Sequence, residues 1–489
     1  MLKERKILES TEKKSLGFST YDSWLGDLRI EITEDPNQKN ISEEEFYFTE
    51  FSSTAFESDY HTYAQEYNFG GSLLTFNLND LDTVKYFGED FSDELLDSEK
   101  LLVDITEILK KYNLIKSLHI DYDISIEEKG YLQVVLLDYD LNETVLKAAA
   151  EILSYIREYY DQLGIHITRM FGSYILLKKV DGELKAVKAT PVPIKYCPLM
   201  VKLLREVGGE ESEELIRAIH TEDQETQTKM MCNLIDKIVI KGGYFDTDRP
   251  LNSCEANVLF GASETISSAF KNHLVDSAVI VSNNLGTIIT TNESNTQGAV
   301  KRMTGLFYTS PSKEIMEKAI DADIIPVFPY TAEIDQLEGI KEAISKGYKK
   351  IAVTFAAYDN VLLDQVKDLE KDGITIYKFG LCSTGIDKET ALIMKENADV
   401  IWSCASKYVK EIIEPASIAQ VGIKIPVLVM TKQGWEIIKN HLSYMSFDDS
   451  LFELNYGDEK PVILHEKGKM KVLTKKEIHH CTDCPHPCV

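Results

Sequence analysis

Residues 275–311 read VDSAVIVSNNLGTIITTNESNTQGAVKRMTGLFYTSP. Two apolar runs in this stretch, 278–281 and 287–290, are rich in β-branched residues, which favour strands. The segment between the runs contains Asn and Gly, which tolerate the positive φ angles of a tight turn. The stretch therefore predicts a β-hairpin.

The residues after this hairpin are predicted to form a polar loop that can hold a ligand. Asn292 and Gln297 are candidates for binding a cofactor through their amides. Arg302, with its neighbour Lys301, is a candidate for neutralising an anionic substrate. A solvated loop that caps a sheet stays the alternative, since connecting loops are usually polar and exposed.

The rest of the C-terminal half alternates between strand and helix patterns about every 25 residues. This spacing is typical of parallel strands joined by helical crossovers. We therefore predict the α/β fold class, with a wound, mainly parallel sheet in the C-terminal half. A partial barrel is the alternative, although five units are too few for an eightfold barrel. The predicted strands are 324–327, 350–355, 374–379, 400–403 and 427–430.

The N-terminal part shows a helix, two strands and a second helix, which predicts a smaller α+β domain. It is also the acidic part of the chain, because residues 1–160 hold 15 Lys and Arg against 34 Asp and Glu, a net charge of −19 out of −27. We predict three segments: an acidic α+β domain at 1–162, an α/β domain at 163–445 and a C-terminal extension at 446–489.

Three separated segments carry a family resemblance: the hairpin stretch, the Tyr196-Cys197-Pro198-Leu199 motif, and residues 331–353. In their order and spacing they closely resemble the methanogenesis marker 8 family of archaeal proteins, from about His166 to about His441. That family has no established activity. The resemblance implies an accessory or maturation role in anaerobic one-carbon or metallocofactor metabolism.

Composition excludes two classes of function. No apolar run approaches the roughly 18 residues that a membrane span requires, and the charged start lacks the apolar core of a signal peptide. We therefore expect a cytoplasmic protein without a membrane partner. A net charge of −27 repels phosphate backbones, so we expect no nucleic-acid partner. A basic protein partner remains compatible with the acidic N-terminal part.

Polar residues follow the predicted parallel strands, where wound sheets bind their ligands. Ser383, Thr384 and Gly385 precede a helix and are candidates for holding an anion through backbone N–H groups. Cys382 and Cys404, at the ends of consecutive predicted strands, could form a metal-ligand pair, and Cys404 is also a candidate reactive thiol. Burial as a small apolar residue is its ordinary alternative.

Two carboxylates, Glu333 and Asp335, follow the first predicted strand and are candidates for acid–base work or metal binding. Helix capping is the ordinary role for such positions. Thr331 is predicted to cap the helix containing Glu333, and Asp387 the helix that starts at Lys388.

The C-terminal tail, HHCTDCPHPCV, carries a metal-ligand pattern. Cys481, Cys484 and Cys488 place three soft thiolates on a short segment, and His480 offers a fourth ligand. Such clusters suit zinc or an iron–sulfur cluster, and ligand softness does not choose between them. A tail without metal is the alternative.

Two hypotheses about function follow. The first is an accessory or maturation protein that binds a metal or iron–sulfur cluster and docks a protein of a redox system. The second is an α/β enzyme that acts on a small anionic metabolite. Both assume that the strand ends gather Arg302, Glu333 and Cys404 around one hollow.

Overall fold

The computed structural model describes residues 8–9, 18–23, 26–33, 71–79, 81, 83–88, 97–114, 122–126, 131–137, 143–194, 197–255, 258–300, 305–356, 361–423, 425–444, 460–466 and 469–474. The chain divides into two compact units. The first contains Met1–Leu163 and two later returns, Ser310–Lys313 and Val327–Glu333; the second contains the remainder.

The first unit has an antiparallel sheet in the order β1-β2-β3-β4-β6-β5. Residues from α2 and α3 share its apolar core with the sheet, which confirms the predicted α+β class. Its elements are β1 Leu8–Glu9, β2 Phe18–Ser23, β3 Leu28–Thr33, β4 Gly71–Asn77, α1 Thr83–Phe87, α2 Ser98–Lys111, β5 Tyr122–Ile126, β6 Tyr131–Leu137 and α3 Glu143–Leu163.

The second unit begins with a three-stranded meander and three helices. The meander joins a later strand, β12, in an antiparallel sheet of order β12-β7-β8-β9. The helices bury apolar side chains against β8 and β9. These elements are β7 His166–Met170, β8 Ser173–Val180, β9 Glu183–Ala189, α4 Pro198–Val207, α5 Glu210–His220, α6 Gln224–Ile235 followed by a π-helix at Asp236–Ile240, and β12 Gly305–Thr309.

A ten-stranded mixed sheet forms the rest of the second unit, in the order β13-β11-β10-β14-β15-β16-β18-β17-β19-β20. Its strands are β10 Ser277–Ser282, β11 Gly286–Thr290, β13 Ile325–Pro326, β14 Lys350–Ala356, β15 Thr375–Leu381, β16 Val400–Trp402, β17 Ala419–Val421, β18 Val427–Val429, β19 Pro461–Glu466 and β20 Lys469–Thr474.

Helices accompany this sheet along the chain, and two of them, α11 and α12, connect consecutive parallel strands. The helices are α7 Ala262–Lys271, α8 Glu293–Val300, α9 Lys313–Asp321, α10 Gln336–Ser345, α11 Val361–Leu369, α12 Lys388–Asn397, a π-helix at Val409–Ile413, α13 Glu414–Ala416 and α14 Lys432–Tyr444.

The predicted α/β class is confirmed, and the hairpin that opens it is β10 and β11. Asn284 and Gly286 have the positive φ angles, both 63°, that the turn was expected to need. Among the described strands, β10, β14, β15 and β16 form a continuous parallel block, while β13 and β18 pair antiparallel with their neighbours. The sheet is therefore mixed around a parallel centre.

The polar loop predicted after the hairpin is in fact helix α8 over Glu293–Val300. The sequence did not predict this helix, because its side chains are mostly polar and show no apolar stripe at helical spacing. In a search of the described residues, no helix combines the length and apolarity that crossing a bilayer demands.

Candidate functional site

A buried arginine links two sheets of the second unit. Arg169 lies on β7 and is 8% exposed. Its Nη1 donates to the carbonyl oxygen of Cys382 at 3.2 Å and its Nη2 to that of Thr384 at 2.7 Å, while Nε donates to Gly172 O at 3.1 Å. The guanidinium thus lies at the carboxyl end of β15, against the loop that follows this strand.

Cys404 follows the neighbouring parallel strand β16 and faces the same loop. Its backbone N–H donates to Ser383 Oγ at 2.8 Å, and Ser383 Oγ donates to Trp402 O at 2.9 Å. The Cys404 sulfur accepts hydrogen bonds from the side chain of Thr384 and from the backbone N–H of Ser383. The structure therefore brings together three of the predicted site residues, with Arg169 beside them.

The electrostatics of this thiol combine opposing effects. Burial raises the pKa of the Cys404 thiol above its ordinary value, because the charged thiolate is poorly solvated inside the protein. Hydrogen bonds from Thr384 and Ser383, and the positive charge of Arg169, act in the opposite direction. The thiol is consequently protonated at neutral pH, and the nearby donors and Arg169 offset only part of the cost of forming the thiolate. We call Arg169, Ser383, Thr384 and Cys404 the thiol cluster.

Two backbone donors of the predicted anion loop, those of Ser383 and Gly385, are bonded within the protein. Gly385 has φ 67° and its N–H donates to Ala405 O at 2.8 Å, while the Ser383 N–H is directed at the Cys404 sulfur. As expected, Asp387 caps the following helix by accepting from the N–H of Thr390. These contacts give the loop a structural role in holding the thiol.

Two other predicted site residues cap helices. Asp335 is the N-cap of α10, where its Oδ1 accepts from the backbone N–H of Glu338 at 2.9 Å. Asn292 precedes α8, and its Oδ1 accepts from the N–H of Asn295 at 2.8 Å. The contacts of Asp335 therefore show helix capping, which was the alternative to a role in acid–base chemistry or metal binding.

Glu333 belongs to the first unit, unlike Asp335 and Cys404. Its carboxylate accepts a hydrogen bond from Asn77 Nδ2.

The predicted cap at Thr331 is wrong, because its hydroxyl donates to the buried Asp27 carboxylate at 2.6 Å and α10 begins only at Gln336. Burial raises the pKa of Asp27 to about 7. The single hollow expected to unite Arg302, Glu333 and Cys404 stays a prediction.

Several predicted ligands lie outside the described residues. These are Arg302 with Lys301, and the tail residues Cys481, Cys484, Cys488 and His480. Within the described part of the chain, no group of three or more His, Cys, Asp or Glu side chains is arranged to hold a metal ion. Disulfide bonds do not join the cysteines described there, which are Cys197, Cys232, Cys254, Cys382 and Cys404.

Gln297 was predicted as a ligand-binding amide, and it is 4% exposed on α8. Its Nε2 donates to Glu264 Oε1 at 3.2 Å. Sequence reasoning missed Glu264, and it missed Arg169. No local signal pointed to Arg169, because its strand reads HITRM and mixes polar with apolar residues.

Comparison with known proteins identifies relatives of the second unit. The chain matches the family described as "Uncharacterized protein conserved in archaea (DUF2099)" over residues 166–443. An uncharacterized protein of Methanocaldococcus jannaschii is 34% identical over 283 residues, which cover 57% of this chain and 93% of that protein.

Among solved structures, a chain of a NiFe hydrogenase complex from Methanosarcina barkeri matches 48% of this chain and 80% of its own length, with 11% identity. Its TM-score of 0.23 is too low to support any argument about fold or function. The family match covers more than half of the chain, and the relative is matched over nearly its whole length. The chain therefore belongs to this uncharacterized family conserved in archaea.

Proposed function

We propose that this protein is an α/β enzyme acting on a small anionic metabolite, with the Cys404 thiol as its proton donor. The observation that carries this proposal is the thiol cluster at the carboxyl edge of β15 and β16. Wound sheets place their ligands at this edge, and perturbed pKa values concentrate at functional sites.

The thiol cluster favours an anion because it contains the formal charge of Arg169. The three acceptors of the guanidinium named above are carbonyl oxygens, which carry only partial negative charge. A buried positive charge attracts a carboxylate or phosphate group more strongly than it would in water, since the surrounding dielectric is low. Arg302, from the sequence, would add to the same preference.

The proposed role of Cys404 follows from its raised pKa. A thiol that is protonated at neutral pH can give its proton to a substrate. The thiolate left behind then accepts hydrogen bonds from Ser383 and Thr384 and interacts with Arg169. These groups stabilise the charge that forms during the reaction.

A screen followed by one substitution tests this proposal. Thermal shifts with small carboxylates and phosphate esters, against neutral analogues, should reveal anions that stabilise the protein, and these are then assayed for turnover. Cys404→Ala should reduce turnover by about 10²–10⁴-fold, the usual contribution of a positioned acid. Cys232→Ala, in the half-buried position on α6, should leave turnover unchanged. Turnover by Cys404→Ala at the wild-type rate would contradict the proposal.

The C-terminal tail supports a second candidate function. Its Cys481, Cys484, Cys488 and His480 suit zinc or an iron–sulfur cluster, and the resemblance to the methanogenesis marker 8 family supports an accessory or maturation role in anaerobic metabolism with a redox protein as partner. Free thiols are typical of a reducing compartment such as the cytoplasm.

Metal analysis of anaerobically purified protein tests this second candidate. One bound iron–sulfur cluster or zinc ion, lost when Cys481, Cys484 and Cys488 are replaced by Ser, would support it. Metal-free wild-type protein that keeps its activity towards an anion would exclude it.

A further inference from the structure

A cavity of about 400 Å³ lies in the second unit, separate in its residues from the thiol cluster. Helices α7, α8 and α14 line it, together with residues 253–254 and 258–259. Its volume falls within the range of about 300–1,000 Å³ that is usual for small-molecule sites. The cavity therefore has room for a metabolite.

Buried polar side chains line this cavity. Glu264 and Ser268 on α7, Gln297 on α8 and His441 on α14 are each 7% exposed or less. Buried polar groups cost free energy unless they are hydrogen-bonded. The hydrogen bonds of these four side chains therefore show which polar atoms still lack a partner that a ligand could supply.

Glu264 is held by three donors from separate segments. Its Oε1 accepts from the N–H of Val258 at 3.1 Å and from Gln297 Nε2 at 3.2 Å, and its Oε2 accepts from Ser263 Oγ at 2.9 Å. These bonds fix the carboxylate of Glu264, and with it a negative charge, in the wall of the cavity.

Gln297 adds an acceptor without a donor. Because its Nε2 is directed at Glu264, its Oε1 must be the free end of the amide, and this oxygen has no hydrogen-bond partner among the described residues. A buried acceptor left in this way costs about 1–3 kcal/mol. A donor group on a bound molecule offsets that cost.

His441 contributes no positive charge to the cavity. Its Nε2 lies 2.8 Å from the carbonyl oxygen of Leu259, which can only accept, so Nε2 carries the hydrogen. Its Nδ1 lies 3.0 Å from Ser268 Oγ. Burial lowers the pKa of His441, which keeps the ring neutral at pH 7.

The formal charges of the lining sum to −1 at neutral pH. Glu264 and Glu293 are negative, and Lys271 is positive. The Lys271 ammonium lies 5.2 Å from the centre of the Tyr444 ring, an interaction that already engages its charge. We propose that the cavity binds a small metabolite that carries a protonated amino group, which donates a hydrogen bond to Gln297 Oε1 and is attracted by the negative charge of Glu264.

Four-carbon probes of matched length test this proposal on the full chain at low ionic strength. Putrescine is cationic, 1,4-butanediol is its neutral analogue and succinate is anionic. Calorimetry should give putrescine a dissociation constant at least about tenfold lower than that of butanediol, because charge-assisted hydrogen bonds are the stronger ones. Succinate should bind most weakly.

Glu264→Gln should remove the preference for putrescine over butanediol. Glu338→Gln, on the exposed side of α10, changes the net charge equally and should keep the preference. Equal affinities for the three probes, no binding of putrescine, or an unchanged preference in Glu264→Gln would each overturn the proposal.

A labelling experiment on the wild-type protein does not depend on how the variants fold. Cys254 is exposed and lines the cavity, so bound putrescine should slow its alkylation by iodoacetamide by up to about twofold at half-saturation. Butanediol at the same concentration should not slow it, and the alkylation of Cys404 should not change. Cys254 alkylation that putrescine leaves unaffected would overturn the proposal.

Discussion

The thiol cluster and the cavity lie in the same unit but differ in charge and in how their polar groups are satisfied. In the thiol cluster, a guanidinium bonds to three carbonyl oxygens, and donors from Ser383 and Thr384 face the Cys404 sulfur. In the cavity, a carboxylate is held by three donors beside an amide oxygen without a partner among the described residues. The difference teaches that charge and unused hydrogen-bond capacity, rather than burial alone, indicate which ligand each region can take.

The largest effect is expected from removing the cation of the thiol cluster. Arg169→Met should lower the free energy of unfolding by about 4 kcal/mol, because buried carbonyl oxygens lose charged donors. Arg205→Met is the matched control: its side chain is 61% exposed and pairs with Glu213, so it should cost no more than about 0.5 kcal/mol. Urea unfolding measures both. Equal costs would show that Arg169 does not hold the cluster together.

A smaller effect is expected from crowding the wall of the cavity. A Cβ at Gly298 on α8 would overlap the backbone of Leu251 and Asn252, which precede the lining residues Ser253 and Cys254. Gly298→Ala should therefore cost about 3 kcal/mol and weaken putrescine binding.

Gly347→Ala is the control for this change. Its Cβ would meet no atom within 4 Å, so only its φ of 91° should cost stability, about 1 kcal/mol. If Gly298→Ala were as stable as Gly347→Ala, the close contact between α8 and residues 251–255 would be refuted.

The smallest effect is expected in the pH dependence of stability. The thiol cluster should affect stability at alkaline pH, and the cavity should affect it at acid pH. The pKa of Cys404 is raised in the folded state, so its contribution is present below the unfolded-state pKa near 9 and is lost as pH rises through the folded value. The pKa of His441 is lowered, so its contribution is present above 6.5 and is lost as pH falls.

Denaturant unfolding from pH 5 to pH 10 measures this difference. Cys404→Ala should flatten the alkaline side of the stability curve, and His441→Gln should flatten the acid side. A variant that changes the opposite side would show that the assigned burial is wrong.

Much of the second unit could be predicted because its strands are apolar and its helices are periodic. The hairpin of β10 and β11 and the alternation from β14 to β16 follow directly from that pattern. Helix α8 could not be predicted in this way, because most of its inward residues, such as Asn295 and Gln297, are polar. Their burial depends on partners distant in the chain.

The candidate sites show the same limit. Cys404, Ser383 and Thr384 could be predicted together, because consecutive parallel strands end at one edge of a sheet. Arg169 is more than 200 residues from its partners Cys382 and Thr384, and no local pattern indicates that contact. The carboxylate of Asp335 suits acid–base chemistry or metal binding, but a carboxylate also accepts hydrogen bonds from the backbone at the start of a helix. The sequence alone does not distinguish these roles.

The most direct test of the central claim compares two alkylating reagents at two thiols. Iodoacetate is anionic and iodoacetamide is neutral, so the ratio of their rates reports the local charge around each sulfur. Peptide mass spectrometry on the full chain at pH 9 gives this ratio for Cys404, beside Arg169, and for Cys254, in the acidic cavity. The ratio should be at least about tenfold higher at Cys404, a difference of about 1.4 kcal/mol. A ratio at Cys404 equal to or below that at Cys254 would contradict an anion-binding thiol site.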